Sequence, residues 1–225
     1  MTPQIIREWK SRIIAEYNSS VVTARMLQLL ILQAAPDPIL DTCMRVIRDE
    51  LDHAKLSYDC FVAFGGPSKV LDMDMSVFVS IPKDDPKLIF DDLVLYFLLG
   101  ESFAVPLFHG MYQNAKHPLA KNMLTRVLQD ESVHRAFGWS VLDFLISKNP
   151  IGVREEITRI LPEKMKLLKE IYVLNEFSIP LMKIEKECGL LDISEYRRIW
   201  LETYQNDIVP RFEKRQIYCP KLSQI

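Results

Sequence analysis

The chain has 225 residues, 48% of them hydrophobic, with 28 basic residues against 30 acidic ones. That length supports one well-buried core, and the near-even charge leaves no sequence-wide electrostatic footprint for nucleic acid or an anionic membrane. Only 7 glycines punctuate long apolar-periodic segments, which disfavours a strand-rich architecture and points to an all-α chain.

From about Pro3 to Ala35 the sequence reads as one long helix, with Ile13, Val21, Leu27, Leu30 and Ile31 as its apolar positions and a stop at Pro36-Asp37-Pro38. A second helix is expected from about Pro38 to Phe64, N-capped by Asp37 and ended by Gly65-Gly66-Pro67. The residues from Gly65 to Asp85 lack helical periodicity and are long for a connection; a link crossing the length of a bundle between helices 2 and 3 explains them. The third helix is read from about Pro86 to Ala115 and the fourth from about Pro118 to Ser147, closed by Asn149-Pro150. Beyond it, 154–173, interrupted by Pro162, and 194–213, ended near Pro210, read as further helices. The expected organisation is a bundle over residues 1–150 with accessory helices over 151–225 packed on it.

Cys43, Cys60, Cys188 and Cys219 form no CxxC pair, so neither a disulfide framework nor a zinc knuckle is expected. The first residues scatter their charges, and the richest apolar stretch, Leu93 to Leu99, is too short to span a membrane. These features fit a cytoplasmic protein without membrane or nucleic-acid partners.

The central observation is a repeat of Asp-Glu-x-x-His, once at Asp49, Glu50 and His53 and again at Asp130, Glu131 and His134. Residues at i and i+3 share a helical face, so each Glu and His can address one small volume with an oxygen and a nitrogen. Val46, Ala54 and Ser57 surround the first pair at one-turn spacings, and Val127, Leu128 and Gly138 the second, so both pairs are expected to face inward. Buried carboxylates need a counter-charge, and no cluster of buried lysines or arginines offers one. A ferritin-like bundle adds one inward Glu from each of the other two helices, and Glu16 and Glu101 stand about one helix and a loop ahead of Glu50 and Glu131. Four carboxylates and two neutral imidazoles would neutralise two divalent ions. Asp49 and Asp130 are expected behind the ligands, holding the imidazole N–H groups in crossed pairs: Asp130 with His53, Asp49 with His134.

This pattern resembles the ferritin-like diiron carboxylate proteins, over residues 16 to 134. The stretch from Leu99-Gly-Glu-Ser-Phe-Ala-Val-Pro through Gln129-Asp-Glu-Ser-Val-His-Arg-Ala-Phe-Gly is similar to the third and fourth helices of aldehyde-deformylating oxygenases. The resemblance implies a ferritin-like four-helix bundle, two iron ions with manganese as an alternative, and an oxygenase or oxidase. Such an enzyme would use dioxygen, an external electron donor and a small, largely apolar substrate. An iron-binding ferroxidase-type protein and a dimanganese catalase use the same ligand types, and a homodimer is open to all three. Ribonucleotide reductase small subunits typically place a radical tyrosine where this chain has Ser57, and arylamine N-oxygenases add a histidine where it has Val127. Gly100 and Pro106, flanking Glu101, are expected to loosen the hydrogen-bond ladder of the third helix beside a ligand. Phe97, Phe103, Phe108 and Phe137 are candidate lining for an apolar pocket, and His109 and His117 are read as non-ligands.

Overall fold

The computed structural model of the chain describes residues 1–69, 87–172 and 180–222. Helix α1 is Pro3–Leu32, α2 is Asp37–Ala63, α4 is Pro118–Lys148, α5 is Pro150–Tyr172 and α6 is Lys183–Glu187. Two helices are composite. In α3 an α-helical start, Leu88–Asp92, passes into π-helix over Leu93–Gly100 and returns to α-helix over Glu101–Asn114. In α7 the same succession is Ile193–Thr203, Tyr204–Ile208 and Val209–Glu213. No strand occurs among the described residues, and no described helix is long and apolar enough to cross a membrane. The expected crossover after α2 lies largely outside the described residues, as does the end of the helix expected to reach Val173.

Local chemistry sets the helix ends. Thr2 caps α1 by accepting from the Ile5 N–H, and Pro3, which has no N–H to leave unsatisfied, opens it. Asp37 is the first helical residue of α2 rather than its cap, where its charge still favours the N-terminal end of the dipole. Gly65, at φ 101°, ends α2 in the left-handed region that glycine reaches without strain. Two prolines read as breaks are accommodated inside helices: α5 runs through Pro162, and α7 through Pro210. Before Pro210 the Val209 N–H donates to the Tyr204 carbonyl five residues back, so the wider turn absorbs part of the disruption a proline brings.

The chain forms two compact units. One takes its residues from 1–85, 111–130 and 181–190; the other from 86–110, 131–180 and 191–225. In the first, α1 packs along α2. The buried stripe of α1 is Ile5, Trp9, Arg12, Ile13, Glu16, Ser20, Thr23, Met26 and Leu30, whereas Ile31 is exposed. Four polar residues on that stripe displace the apolar period read from the sequence. The Trp9 indole N–H donates to the Cys188 carbonyl at 3.1 Å and its ring lies 5.7 Å from Phe64. Arg12 is buried because its guanidinium has partners: Glu8 at 3.2 Å, the Gly189 carbonyl at 2.6 Å and the Trp9 ring at 4.5 Å. The N–H groups of Lys116 and His117 both donate to the Glu187 carbonyl at 2.9 Å, which ties α6 to the corner between α3 and α4.

In the second unit, aromatic pairs make the core. Phe97 meets Phe137 edge-on at 5.4 Å, Phe103 stacks on Trp200 at 5.8 Å, and Trp139 meets Phe212 at 5.1 Å. Each such pair contributes on the order of 0.5–1.5 kcal/mol beyond its area. α5 packs on the opening turns and π-helical part of α3. Arg215 binds Asp143 through two nitrogens, at 2.6 and 2.7 Å, and fastens the end of α7.

Candidate metal centre

Glu16 sits mid-way along α1, on the stripe with Arg12, Ile13 and Ser20, and is buried. Glu50 and His53 lie one turn apart on α2 and are buried with Val46, Ala54 and Ser57 around them. One ligand atom from each of Glu16, Glu50 and His53 lies within 4.8 Å of those from the other two. His53 Nδ1 is 3.8 Å from Glu50 Oε2 and 3.9 Å from Glu16 Oε2. Those separations are too long for hydrogen bonds, yet they suit donor atoms that each stand about 2.0–2.2 Å from a shared ion.

The other side of the His53 ring accounts for its tautomer. Nε2 lies 3.1 Å from Asp130 Oδ2. A carboxylate can only accept here, so Nε2 carries the proton and Nδ1 presents its lone pair toward Glu16 and Glu50. The structure therefore brings Asp130 to His53, one of the two crossed pairs expected. The donor set of two carboxylate oxygens and one oriented imidazole nitrogen fits a first-row divalent ion such as iron or manganese, and carries none of the thiolates that would select zinc or copper(I).

Glu101, Glu131 and His134 are buried as well. Glu131 and His134 repeat the one-turn geometry, with Oε1 and Nδ1 3.9 Å apart. Glu101 follows directly on the π-helical segment, and its own N–H donates to the Tyr96 carbonyl five residues back. Gly100 permits that wide turn, since a Cβ there would come 3.2 Å from the Leu95 carbonyl. The ladder beside Glu101 is thus irregular, through a π segment that precedes it. Interruptions of this kind recur at functional sites.

Asp49 lies 3.3 Å from Arg45 and 3.4 Å from Arg126. Arg126 also pairs with Asp130, and Arg45 reaches Asp130 at 3.6 Å. These two arginines escaped the sequence reading, although a signal was present: each stands four residues before an aspartate of the repeat, extending it to Arg-Val-x-x-Asp-Glu-x-x-His on both helices. Ser57, one turn beyond His53, is fully buried, and its Oγ has no hydrogen-bond partner among the described residues. Of the candidate pocket aromatics, Phe97, Phe103 and Phe137 are packed core, while Phe108 is half-buried. His109 is exposed, and the half-buried His117 ring packs edge-on against Phe64.

No protein-family model matches the chain, and no curated protein matches it in sequence. A solved structure does: protein 19 with aldehyde deformylating oxidase activity from Synechococcus, with a TM-score of 0.60 over 95% of this chain and 92% of that one, at 20% identity. At that identity the likeness carries the fold. The chain is an all-α protein with the ferritin-like helical bundle fold, and its resemblance to aldehyde-deformylating oxygenases, read from the third and fourth helices, extends to the structure.

Proposed function

We propose that the chain is a non-haem diiron oxidoreductase, an oxygenase or oxidase, with Glu16, Glu50, His53, Glu101, Glu131 and His134 as its metal ligands. When bound, the two irons would supply the electrons that reduce dioxygen; manganese is the alternative occupant. The observation that carries the reading is the buried cluster of Glu16, Glu50 and His53, with the far nitrogen of His53 committed to Asp130. Two carboxylates and an imidazole turned toward one another, away from water, are costly unless a cation joins them.

Each residue then has a definite task. Asp130 holds the Nε2 proton of His53 and keeps the Nδ1 lone pair turned toward Glu16 and Glu50. The carboxylates spread the positive charge held at the centre, and their burial keeps bulk water from it. Asp49 is assigned to His134 in the same manner. The substrate is proposed to be small and largely apolar, as the resemblance read from the sequence implies. An aldehyde is the first compound to try, because the structural neighbour carries aldehyde deformylating oxidase activity in its description. Reducing equivalents would come from an external donor in the cytoplasm, and the helices past residue 150 would serve as accessory elements.

The experiment is anaerobic loading with Fe(II), elemental analysis, then stopped-flow absorption after dioxygen is admitted. Two irons per chain and a transient absorption that decays faster with an aldehyde or another apolar substrate are expected. Continued uptake beyond two irons, with oxidation but no response to substrate, would move the assignment to a ferroxidase-type protein.

A further inference from the structure

Arg45-Val46-x-x-Asp49-Glu50-x-x-His53 on α2 and Arg126-Val127-x-x-Asp130-Glu131-x-x-His134 on α4 agree at five of nine positions. The agreement follows burial. Val46, Asp49, Glu50 and His53 are buried, as are Val127, Asp130, Glu131 and His134, whereas the positions where the turns differ are exposed (Arg48, Leu51, Asp52, Gln129, Ser132) or half-buried (Ile47, Leu128, Val133). The arginines are the one shared pair that reaches solvent, with side chains 54% and 39% exposed.

Ordinary helix-surface pairs three or four residues apart have both ends in water, as Arg198 does with Glu195 and Glu202. Arg45 and Arg126 differ in two respects. The acids they meet are buried, and each arginine touches the aspartate of the other helix as well as its own. The result is a closed square of two guanidinium groups and two carboxylates. A planar guanidinium with five donors can bridge two carboxylates in a fixed geometry, whereas an ammonium meets them only as a point charge. One corner of the square, Asp130, is the carboxylate that holds His53 at 3.1 Å.

We propose that Arg45 and Arg126 are positioning residues of the metal centre. They lock the Asp130 carboxylate against His53, and so aim the His53 Nδ1 at Glu16 and Glu50. This rests on the assignment of His53 as a ligand. The arginines touch neither metal nor substrate and act through the aspartates alone. The square also accounts for charge, since two arginines balance two buried aspartates and leave the ligand carboxylates to the metal.

Two readouts test this. In metal-free protein, proton NMR should show the His53 Nε2–H as a downfield, slowly exchanging signal. Arg126→Ala, and more so Arg45→Ala/Arg126→Ala, should exchange it at least about tenfold faster with helix content retained by circular dichroism. Titration with Co(II) alone should then show the tighter-bound ion weakened about 10-fold in the double variant, at the low end of what loss of a direct outer partner costs. Arg126→Lys, which restores charge without the bridge, should recover only part of either loss, and Arg198→Ala should change neither. Should the alanine variants misfold, Arg126→Lys and Arg126→Gln carry the same comparison. Unchanged exchange and cobalt affinity within twofold of wild type overturn the proposal. If wild type binds no cobalt while the variants still release the His53 proton, the ligand assignment fails and takes the metal-centre role with it, and the arginines are left only with their hold on Asp130 and His53.

Discussion

α1 and α2 reach Glu16, Glu50 and His53 through unbroken α-helix, whereas α3 arrives at Glu101 through eight residues of π-helix. The turn that carries Glu and His is the same on α2 and α4, but what stands one turn beyond the histidine differs. On α2 it is Ser57, a buried side chain; on α4 it is Gly138, where a Cβ would lie 2.8 Å from Phe97 Cβ and 2.9 Å from its carbonyl oxygen. Phe97 belongs to the π segment. One helix pair carries its Glu and His residues on a regular scaffold, and the other trades regular hydrogen bonding and side-chain volume for close approach of an irregular backbone. An equal pattern of Glu and His thus stands on unequal backbones.

The largest expected effect removes the pattern itself. Glu50→Ala and His134→Ala should each lose one ion of the pair, at least about 100-fold in affinity, beyond the 10–100-fold typical of an outer partner. Helix content should be retained, because neither change touches the backbone ladder. Elemental analysis checks this, and retention of two metals per chain by both variants would falsify the assigned ligands.

The next effect separates the backbones. Gly138→Ala improves helix propensity by about 1 kcal/mol, yet drives a methyl into Phe97, at a cost of about 1–3 kcal/mol for overpacking. Because two of the three nearest atoms are backbone, the clash should win, with a net loss of about 1 kcal/mol and a lower Tm. A variant as stable as wild type would mean that the α3 backbone yields freely there.

Thiols sharpen the comparison from the other side, since α2 carries Cys43 and Cys60 and α4 carries none. Burial pushes both thiols up from 9.0 to about 12. Each thus stays protonated in the folded chain while ionising in the unfolded one, so their stabilisation is complete below pH 9 and is lost as pH rises from 9 toward 12. Between pH 9 and 10 each should cost about 1 kcal/mol. Urea unfolding at pH 8, 9 and 10 should show a steeper fall for wild type than for Cys43→Ala/Cys60→Ala; parallel curves would remove the thiols from the account.

How much of this the sequence carried depends on period. The inward face of the two Glu-x-x-His turns was legible because an i, i+3 pair among apolar neighbours defines a face without reference to the rest of the fold. The face of α1 was harder, because Arg12, Glu16, Ser20 and Thr23 occupy buried positions and Val21 and Ile31, which read as core, are half-buried and exposed. Arg12 is there for the Gly189 carbonyl, 177 positions along the chain. A π-helix leaves no repeat of its own in eight apolar residues, and only Gly100 hinted at one. Arg45 and Arg126 stood in plain view, but an arginine four residues from an aspartate is ordinary on a helix surface, and nothing in the sequence says that the aspartate is buried.

The smallest effect has the most to say about chemistry. Ser57 has a fully buried hydroxyl without a partner among the described residues, and serine is a poorer helix former than alanine. On stability alone, Ser57→Ala should gain a few tenths of a kcal/mol to about 1 kcal/mol, from propensity and from relief of the desolvated hydroxyl. Unsatisfied polar groups that persist in a core are common where a ligand completes them. Thermal unfolding and substrate-dependent oxygen consumption, measured together, separate the cases. Higher Tm with unchanged turnover makes Ser57 a packing residue, whereas higher Tm with slower turnover makes its hydroxyl a donor that the regular α2 scaffold holds ready and that the glycine at the matching place on α4 cannot supply.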